Sequence, residues 1–178
     1  GDYFCLRDPH GIRPCHYLIT DEFIAVASER VPLMTVFEVE SEQVQELPPA
    51  NMLSIKADGT HAITEFTTPL KPAPCSFEKI YFSRGNDPIV YRERKALGAA
   101  LTPQIVDSLE DRFDKSAITY IPNTAETAYY GLLEGLRVYR RKRVHAQLLE
   151  ALRNGTLDEN MLDSAILKRW PRGEKIAH

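Results

Sequence analysis

Residues 117–121, the loop Pro122-Asn123-Thr124-Ala125 and the acidic start of a helix at Glu126 follow one another as strand, short polar loop and helix. That order suits phosphate binding. The first N–H groups of a helix have no partner inside it, and its dipole is positive at that end. Thr124 and Thr127 add hydroxyl donors there. The same residues admit a plainer reading, in which Asn123 or Thr124 is simply the N-cap of the helix. Spacing alone leaves both open. A second candidate is the basic run Arg137, Arg140, Arg141, Lys142 and Arg143. It suits a polyanion, or equally the solvated face of a helix. Cys5, Cys15 and Cys75 have no C-x-x-C spacing and no paired His, so no metal site is written locally. Cys5 reads as a core residue of a strand. His10 and His16 flank a turn and read as surface or packing residues. No Ser-His-Asp or Cys-His arrangement is recognisable.

Two kinds of structure must position these groups. Up to about residue 72 the chain reads as β-rich, with short aromatic and β-branched runs at 3–7, 16–20 and 23–28. Asp8-Pro9-His10-Gly11 is a turn by its chemistry. Asp21-Glu22 closes one hairpin, and Asp58-Gly59 closes a stronger one between 51–56 and 60–66. Residues 67–74 hold Pro69, Pro72 and Pro74, which exclude a central strand and suggest a linker. Beyond them, 77–82 is a short aromatic segment. Residues 91–109 have helical composition, kinked or divided by Pro103. Leu132, Leu133, Leu136, Tyr139, Leu148, Leu149 and Leu152 space a long helix over 126–153. Asn154-Gly155 ends it. Thr156-x-x-Glu159 reads as a capping box opening a last helix to about Trp170, which Pro171 stops.

The chain has 178 residues, with 22 Lys and Arg against 25 Asp and Glu, a net charge of −3. So weak a balance gives no electrostatic case for nucleic acid or an anionic membrane. No apolar run approaches the roughly 20 residues of a membrane span. Three scattered cysteines point to a reducing, cytoplasmic setting rather than a disulfide framework. The chain opens inside an apolar segment without Met, and both ends read as cuts through a longer protein.

Two segments carry a resemblance. Arg7-Asp8-Pro9-His10-Gly11-Ile12-Arg13-Pro14 resembles the RDPxGIRPL signature in the glutaminase half of glutamine phosphoribosylpyrophosphate amidotransferases, with Val26-Ala27-Ser28-Glu29 following at the family's distance. Cys75-Ser76-Phe77-Glu78-Lys79-Ile80-Tyr81-Phe82-Ser83-Arg84 resembles the family's C-x-F-E-Y-x-Y-F-A-R joint, continued by Tyr91, Arg94, Leu97 and Gly98. The loop at 122–125 falls where the family has P-E-T-S or P-D-S-S. Here Asn123 stands for an acid and Ala125 for a hydroxyl residue, while Thr124 keeps its hydroxyl. The resemblance covers residues 1 to about 136.

The resemblance implies a composite α+β and α/β fold. Residues 1–74 would be the C-terminal part of an N-terminal-nucleophile glutaminase domain with its antiparallel sheet. Residues 75–136 would be the joint and start of a phosphoribosyltransferase domain, and 137–178 a helical insertion. It implies a parent enzyme, a homo-oligomer, that makes 5-phosphoribosylamine from glutamine and phosphoribosyl pyrophosphate with Mg²⁺, at the start of purine synthesis. Asn123, Thr124, Ala125 and Thr127 would hold the pyrophosphate, and Tyr81 and Arg84 would sit at the domain joint. Arg7, Asp8 and Arg13 would hold a turn and carry no catalysis. Cys75 matches a cysteine that ligates an iron–sulfur cluster in some members. The fragment itself would be inactive, lacking the cysteine nucleophile and the acidic phosphoribosyl pyrophosphate motif. The rival reading is a non-catalytic regulatory or assembly module of the same fold. A third, another glutamine amidotransferase, is disfavoured by the joint.

Overall fold

The computed structural model describes residues 1–110, 112–167 and 172–173. Two compact units divide the chain, Gly1–Val90 and Tyr91–His178. The first is mainly antiparallel β and the second mainly helical, so the fold is a composite of α and β.

In the first unit the strands are β1 (Tyr3–Leu6), β2 (His16–Ile19), β3 (Ile24–Ala27), β4 (Gln45–Glu46), β5 (Asn51–Ile55) and β6 (His61–Glu65). They form two antiparallel sheets, ordered β1-β5-β6 and β3-β2-β4. Both expected hairpins are present. Ile19 faces Ile24 across the Asp21-Glu22 turn, and Ile55 faces His61 across Asp58-Gly59. The Asp58 carboxylate accepts the Thr60 N–H and O–H at 2.9 and 2.6 Å, which closes the second turn on itself. Leu47, Leu53 and Cys15 centre one apolar cluster; Leu18, Leu33 and Val44 centre another.

One element in this unit departs from the sequence reading. Helix α1 (Arg30–Phe37) occupies a stretch whose Val31, Pro32, Thr35 and Val36 favour extended backbone. Packing overrides propensity here. Leu33 is buried, and Phe37 stacks on Phe23 with ring centroids 4.4 Å apart. Pro32 sits in the first turn, where its missing N–H costs little.

Residues 67–74 lie within the first unit and are strapped to the loop at 8–13. Leu70 donates its N–H to Pro9 O at 3.0 Å, Ala73 to His10 O at 3.0 Å and Cys75 to Ile12 O at 2.9 Å. A π-helical turn follows at Glu78–Phe82. Helix α2 (Pro88–Ala100) starts earlier than expected. Asp87 is its cap, accepting the N–H groups of Ile89 and Val90 at 2.8 and 3.1 Å, with Pro88 at the first helical position.

In the second unit α3 (Thr102–Leu109) begins just after α2 ends, so Pro103 divides the helical stretch by sitting in a new first turn. Strand β7 is only Ala117–Ile118, pairing in parallel with β8 (Arg172–Gly173). The expected strand over 117–121 is therefore cut short, and Ile121 is 85% exposed rather than buried. Helix α4 spans Glu126–Arg153, as the apolar spacing required. Phe113, Ile118, Tyr120, Tyr129, Leu132 and Leu136 form this unit's core. Helix α5 covers Glu159–Leu167. Its cap is Asp158, whose carboxylate accepts the Met161 N–H at 2.7 Å. Thr156 instead donates its hydroxyl back to Ala151 O at 3.3 Å, so the expected capping box does not form. The expected stop at Trp170 and Pro171 lies outside the described residues.

Candidate functional site

Residues 122–125 form a turn leading into α4, with the Pro122–Asn123 peptide cis. Asn123 and Thr124 are exposed; Ala125 and Thr127 are half-buried. The structure thus gathers all four predicted residues at one helix start. The plain N-cap reading is not what holds that start. The capping position is Ala125, which has no side-chain acceptor. Asn123 contributes only its carbonyl, which accepts the Glu126 N–H at 3.2 Å. Among the described residues the Thr127 and Ala128 N–H groups have no acceptor. Free first-turn donors beside an exposed hydroxyl favour an anion. Glu126 works the other way. Its carboxylate lies in that first turn and accepts the Tyr130 O–H at 2.8 Å, adding negative charge where an anion would dock.

The basic run lies on α4. Arg140 donates to Ala165 O and Ile166 O, both at 3.2 Å, and so caps the last turn of α5. Arg137, Arg141 and Lys142 are exposed. The run divides between helix capping and a solvated face.

The signature loop is a structural knot in the first unit. The Asp8 carboxylate accepts N–H groups from His10 at 3.0 Å and Ile12 at 2.9 Å. Burial works to raise this carboxyl, but bonds from the Ile12, Arg13 and His10 backbone outweigh it and hold it below its ordinary 3.8. Arg7 is buried. It donates to Arg13 O at 3.2 Å and Leu47 O at 2.5 Å, and pairs with Glu46 at 2.8 Å. Gly11 has φ +60°, and a Cβ there would come within 2.9 Å of Pro49 Cγ, so the turn requires glycine. Arg7, Asp8 and Arg13 hold this turn, as expected.

Both remaining motif segments reach this neighbourhood. Arg13 Nε lies 2.6 Å from the buried Glu78, and its guanidinium lies 5.9 Å from the centre of the Phe82 ring. Arg84 Nε lies 3.9 Å from Glu29, joining the end of the second motif to Val26-Ala27-Ser28-Glu29. Tyr81 is exposed and packs edge-on against Phe82. The sequence reading missed Glu78 and Asp87 as buried acids. Asp87 was legible, since Asp-Pro before an apolar run is a helix-start signal.

Cys75 is a free, half-buried thiol. Among the described residues no group of three or more His, Cys, Asp or Glu could hold a metal ion. These residues by themselves make no complete site for an iron–sulfur cluster or a Mg²⁺ ion. No described helix is long and apolar enough to cross a membrane.

No family model matches the chain. Among curated proteins, the amidophosphoribosyltransferases of Mycobacterium bovis and Mycobacterium tuberculosis are each 37% identical over 90 residues, 51% of this chain, and that of Mycobacterium leprae is 36% identical over the same length. The chain spans only 15–16% of those relatives. Among solved structures, the glutamine phosphoribosylpyrophosphate amidotransferase of B. subtilis, complexed with ADP and GMP, aligns over 76% of this chain and 28% of its own at 28% identity, with a TM-score of 0.58. A structure described as the allosteric regulatory enzyme of purine biosynthesis covers 75% of this chain and 28% of its own at 28% identity, with a TM-score of 0.57. Since the first unit ends at residue 90 of 178, a fold match over 76% extends into the second. Over half its length in sequence and three quarters in fold, this chain is similar to a part of the amidophosphoribosyltransferases.

Proposed function

We propose that this chain is part of an enzyme that makes 5-phosphoribosylamine from glutamine and phosphoribosyl pyrophosphate, releasing glutamate and pyrophosphate and opening purine synthesis. One observation carries the reading. Three sequence segments that resemble the family meet through Arg13–Glu78 and Arg84–Glu29, so the resemblance extends from motif to fold. In this reading residues 1–74 close the glutaminase part, 75–136 make the joint and the start of the transferase part, and 137–178 are a helical insertion. The parent is a cytoplasmic homo-oligomer. Thr124 hydroxyl and the free N–H groups at the start of α4 hold the departing pyrophosphate, with Asn123, Ala125 and Thr127 shaping the loop. Tyr81 and Arg84 belong to the joint between the two activities. The chain alone performs neither half-reaction.

The test uses the complete open reading frame and measures pyrophosphate release that depends on both substrates. Thr124→Ala should lower kcat/KM for phosphoribosyl pyrophosphate by about 10- to 100-fold, the worth of a hydrogen bond to a charged group, and leave glutaminase turnover intact. The 178-residue chain should show no glutaminase activity above a blank. If the complete protein releases no pyrophosphate, the second reading holds, a regulatory or assembly module of the same fold. The opposing carboxylate of Glu126, and the loop's Asn123 in place of an acid and Ala125 in place of a hydroxyl residue, are the features that favour it.

A further inference from the structure

We propose that Cys5 and Cys15 are a modification site, closing a reversible disulfide in response to hydrogen peroxide and fastening the two sheets of the first unit together. The two Sγ atoms lie 3.3 Å apart, and both thiols are free. A disulfide bond needs roughly 2.05 Å, so the sulfurs are already in contact and must approach only a little further. One residue lies in a strand of one sheet and the other directly before a strand of the second. Cys5 is on β1, opposite Leu53 of β5. Cys15 immediately precedes β2, and its carbonyl accepts the Leu47 N–H at 2.8 Å. Both contact the same apolar cluster around Leu47 and Leu53.

Packing alone does not call for this pair. Position 15 is the one where the RDPxGIRPL signature carries Leu, and a leucine would fill an apolar cluster without reactive chemistry. Two facing thiols add the capacity to be oxidised together. The loop they would close contains the whole Arg7 to Pro14 signature, and the strap at 70–75 hydrogen-bonds to that loop.

Exposure sets the order of events. Cys5 is half-buried, while Cys15 is buried. Burial, helped by the neighbouring Cys5 thiol, pushes Cys15 up to about 12, so Cys5 reacts first. Its thiolate attacks one peroxide oxygen and the O–O bond breaks. Cys5 becomes a sulfenic acid, and the departing hydroxide takes the thiol proton as water. Cys15 sulfur then attacks the Cys5 sulfur, the S–O bond breaks, and the hydroxyl leaves as a second water with the Cys15 proton. Two thiols lose two electrons in all, and one peroxide is reduced to two waters.

The experiment titrates the 178-residue chain with peroxide, counts free thiols and maps the linked peptides. Two of the three thiols should disappear, leaving Cys75. The mass should fall by two hydrogens, and dithiothreitol should restore all three thiols. Cys75→Ser should lose both of its remaining thiols in the same way. Cys15→Ser should stop at a sulfenic acid on Cys5, trapped by dimedone. A linkage through Cys75, a dimer joined between chains, or three surviving thiols under peroxide that oxidises free cysteine overturns the proposal. Should Cys15→Ser fail to fold, the Cys75→Ser chain and the peptide map decide alone.

Discussion

Arg13 Nε lies 2.6 Å from Glu78 Oε1, so the guanidinium near the end of one motif meets the acid inside the other. The pair is asymmetric. Glu78 keeps 7% of its side chain exposed and Arg13 68%. Removing the arginine leaves a carboxylate buried and uncompensated, whereas removing both leaves apolar volume to fill. Arg13→Met should therefore destabilise the first unit by about 2 kcal/mol, below the roughly 3–5 kcal/mol of a fully buried pair, because water already screens Arg13. Arg13→Met with Glu78→Leu should recover most of that loss. Urea midpoints of the two variants check this, and equal midpoints for Arg13→Met and the unsubstituted chain would mean that the pair contributes nothing.

Helices α2 and α4 pass so close that two glycines have no room for a side chain. A Cβ on Gly98 would run into the Ala128 carbonyl, and one on Gly131 into the Lys95 carbonyl. Backbone cannot swing away as a side chain can. In an exposed helix Gly→Ala gains about 1 kcal/mol. Here Gly98→Ala and Gly131→Ala should instead cost about 1–3 kcal/mol net. A Cβ on Gly135 would run into the Thr102 hydroxyl, a side-chain atom that can rotate, and would lie 3.3 Å from the Ala99 carbonyl, so its cost should be smaller. Thermal unfolding of the three single variants gives the ranking, and a stabilised Gly131→Ala would contradict the close crossing.

What was legible in the sequence was local. Asp58-Gly59 and Asp21-Glu22 announce their hairpins because turn chemistry acts over four residues. The bounds of α4 follow from its leucine spacing and from Asn154-Gly155. Helix α1 was hidden because Leu33 and Phe37 are held by partners distant in sequence, against the extended preference of their neighbours. The strand at 117–121 looked buried from its apolar content, but β7 stops at Ile118. The Pro-rich stretch suggests a linker in the sequence because its hydrogen bonds run to residues about sixty positions earlier. The Cys5–Cys15 contact was illegible for a similar reason, since it depends on two sheets packing together. At the candidate phosphate site the order of loop and helix could be read; the uncapped state of Ala125 could not.

Asp87 serves two neighbours at once, and two substitutions separate them. Its Oδ1 caps α2, and its Oδ2 lies 3.9 Å from the half-buried Arg30 guanidinium. Asparagine caps a helix about as well as aspartate, so Asp87→Asn should expose only the loss of charge opposite Arg30. Asp87→Ala loses the cap as well and should cost about 1 kcal/mol more. Equal losses in denaturant titrations would mean that the cap contributes nothing.

His16 gives the first unit a pH dependence with a definite sign. It is buried on β2 with Glu46, Arg30 and Asp87 around it. Burial disfavours its charged form and Arg30 adds to that, against the opposing pull of Glu46 and Asp87, so its folded value lies below the ordinary 6.5. Between the lowered folded value and 6.5 the unfolded chain binds more protons than the folded one. Stability therefore rises with pH across that window. The contribution is complete above 6.5 and is lost as pH falls through the folded value. Asp8, also lowered, adds a second loss at more acidic pH. Chemical denaturation from about pH 5 to 8 should show a decline below 6.5 in the native sequence. His16→Gln should flatten that decline. A decline that persists unchanged in His16→Gln assigns the proton to another group.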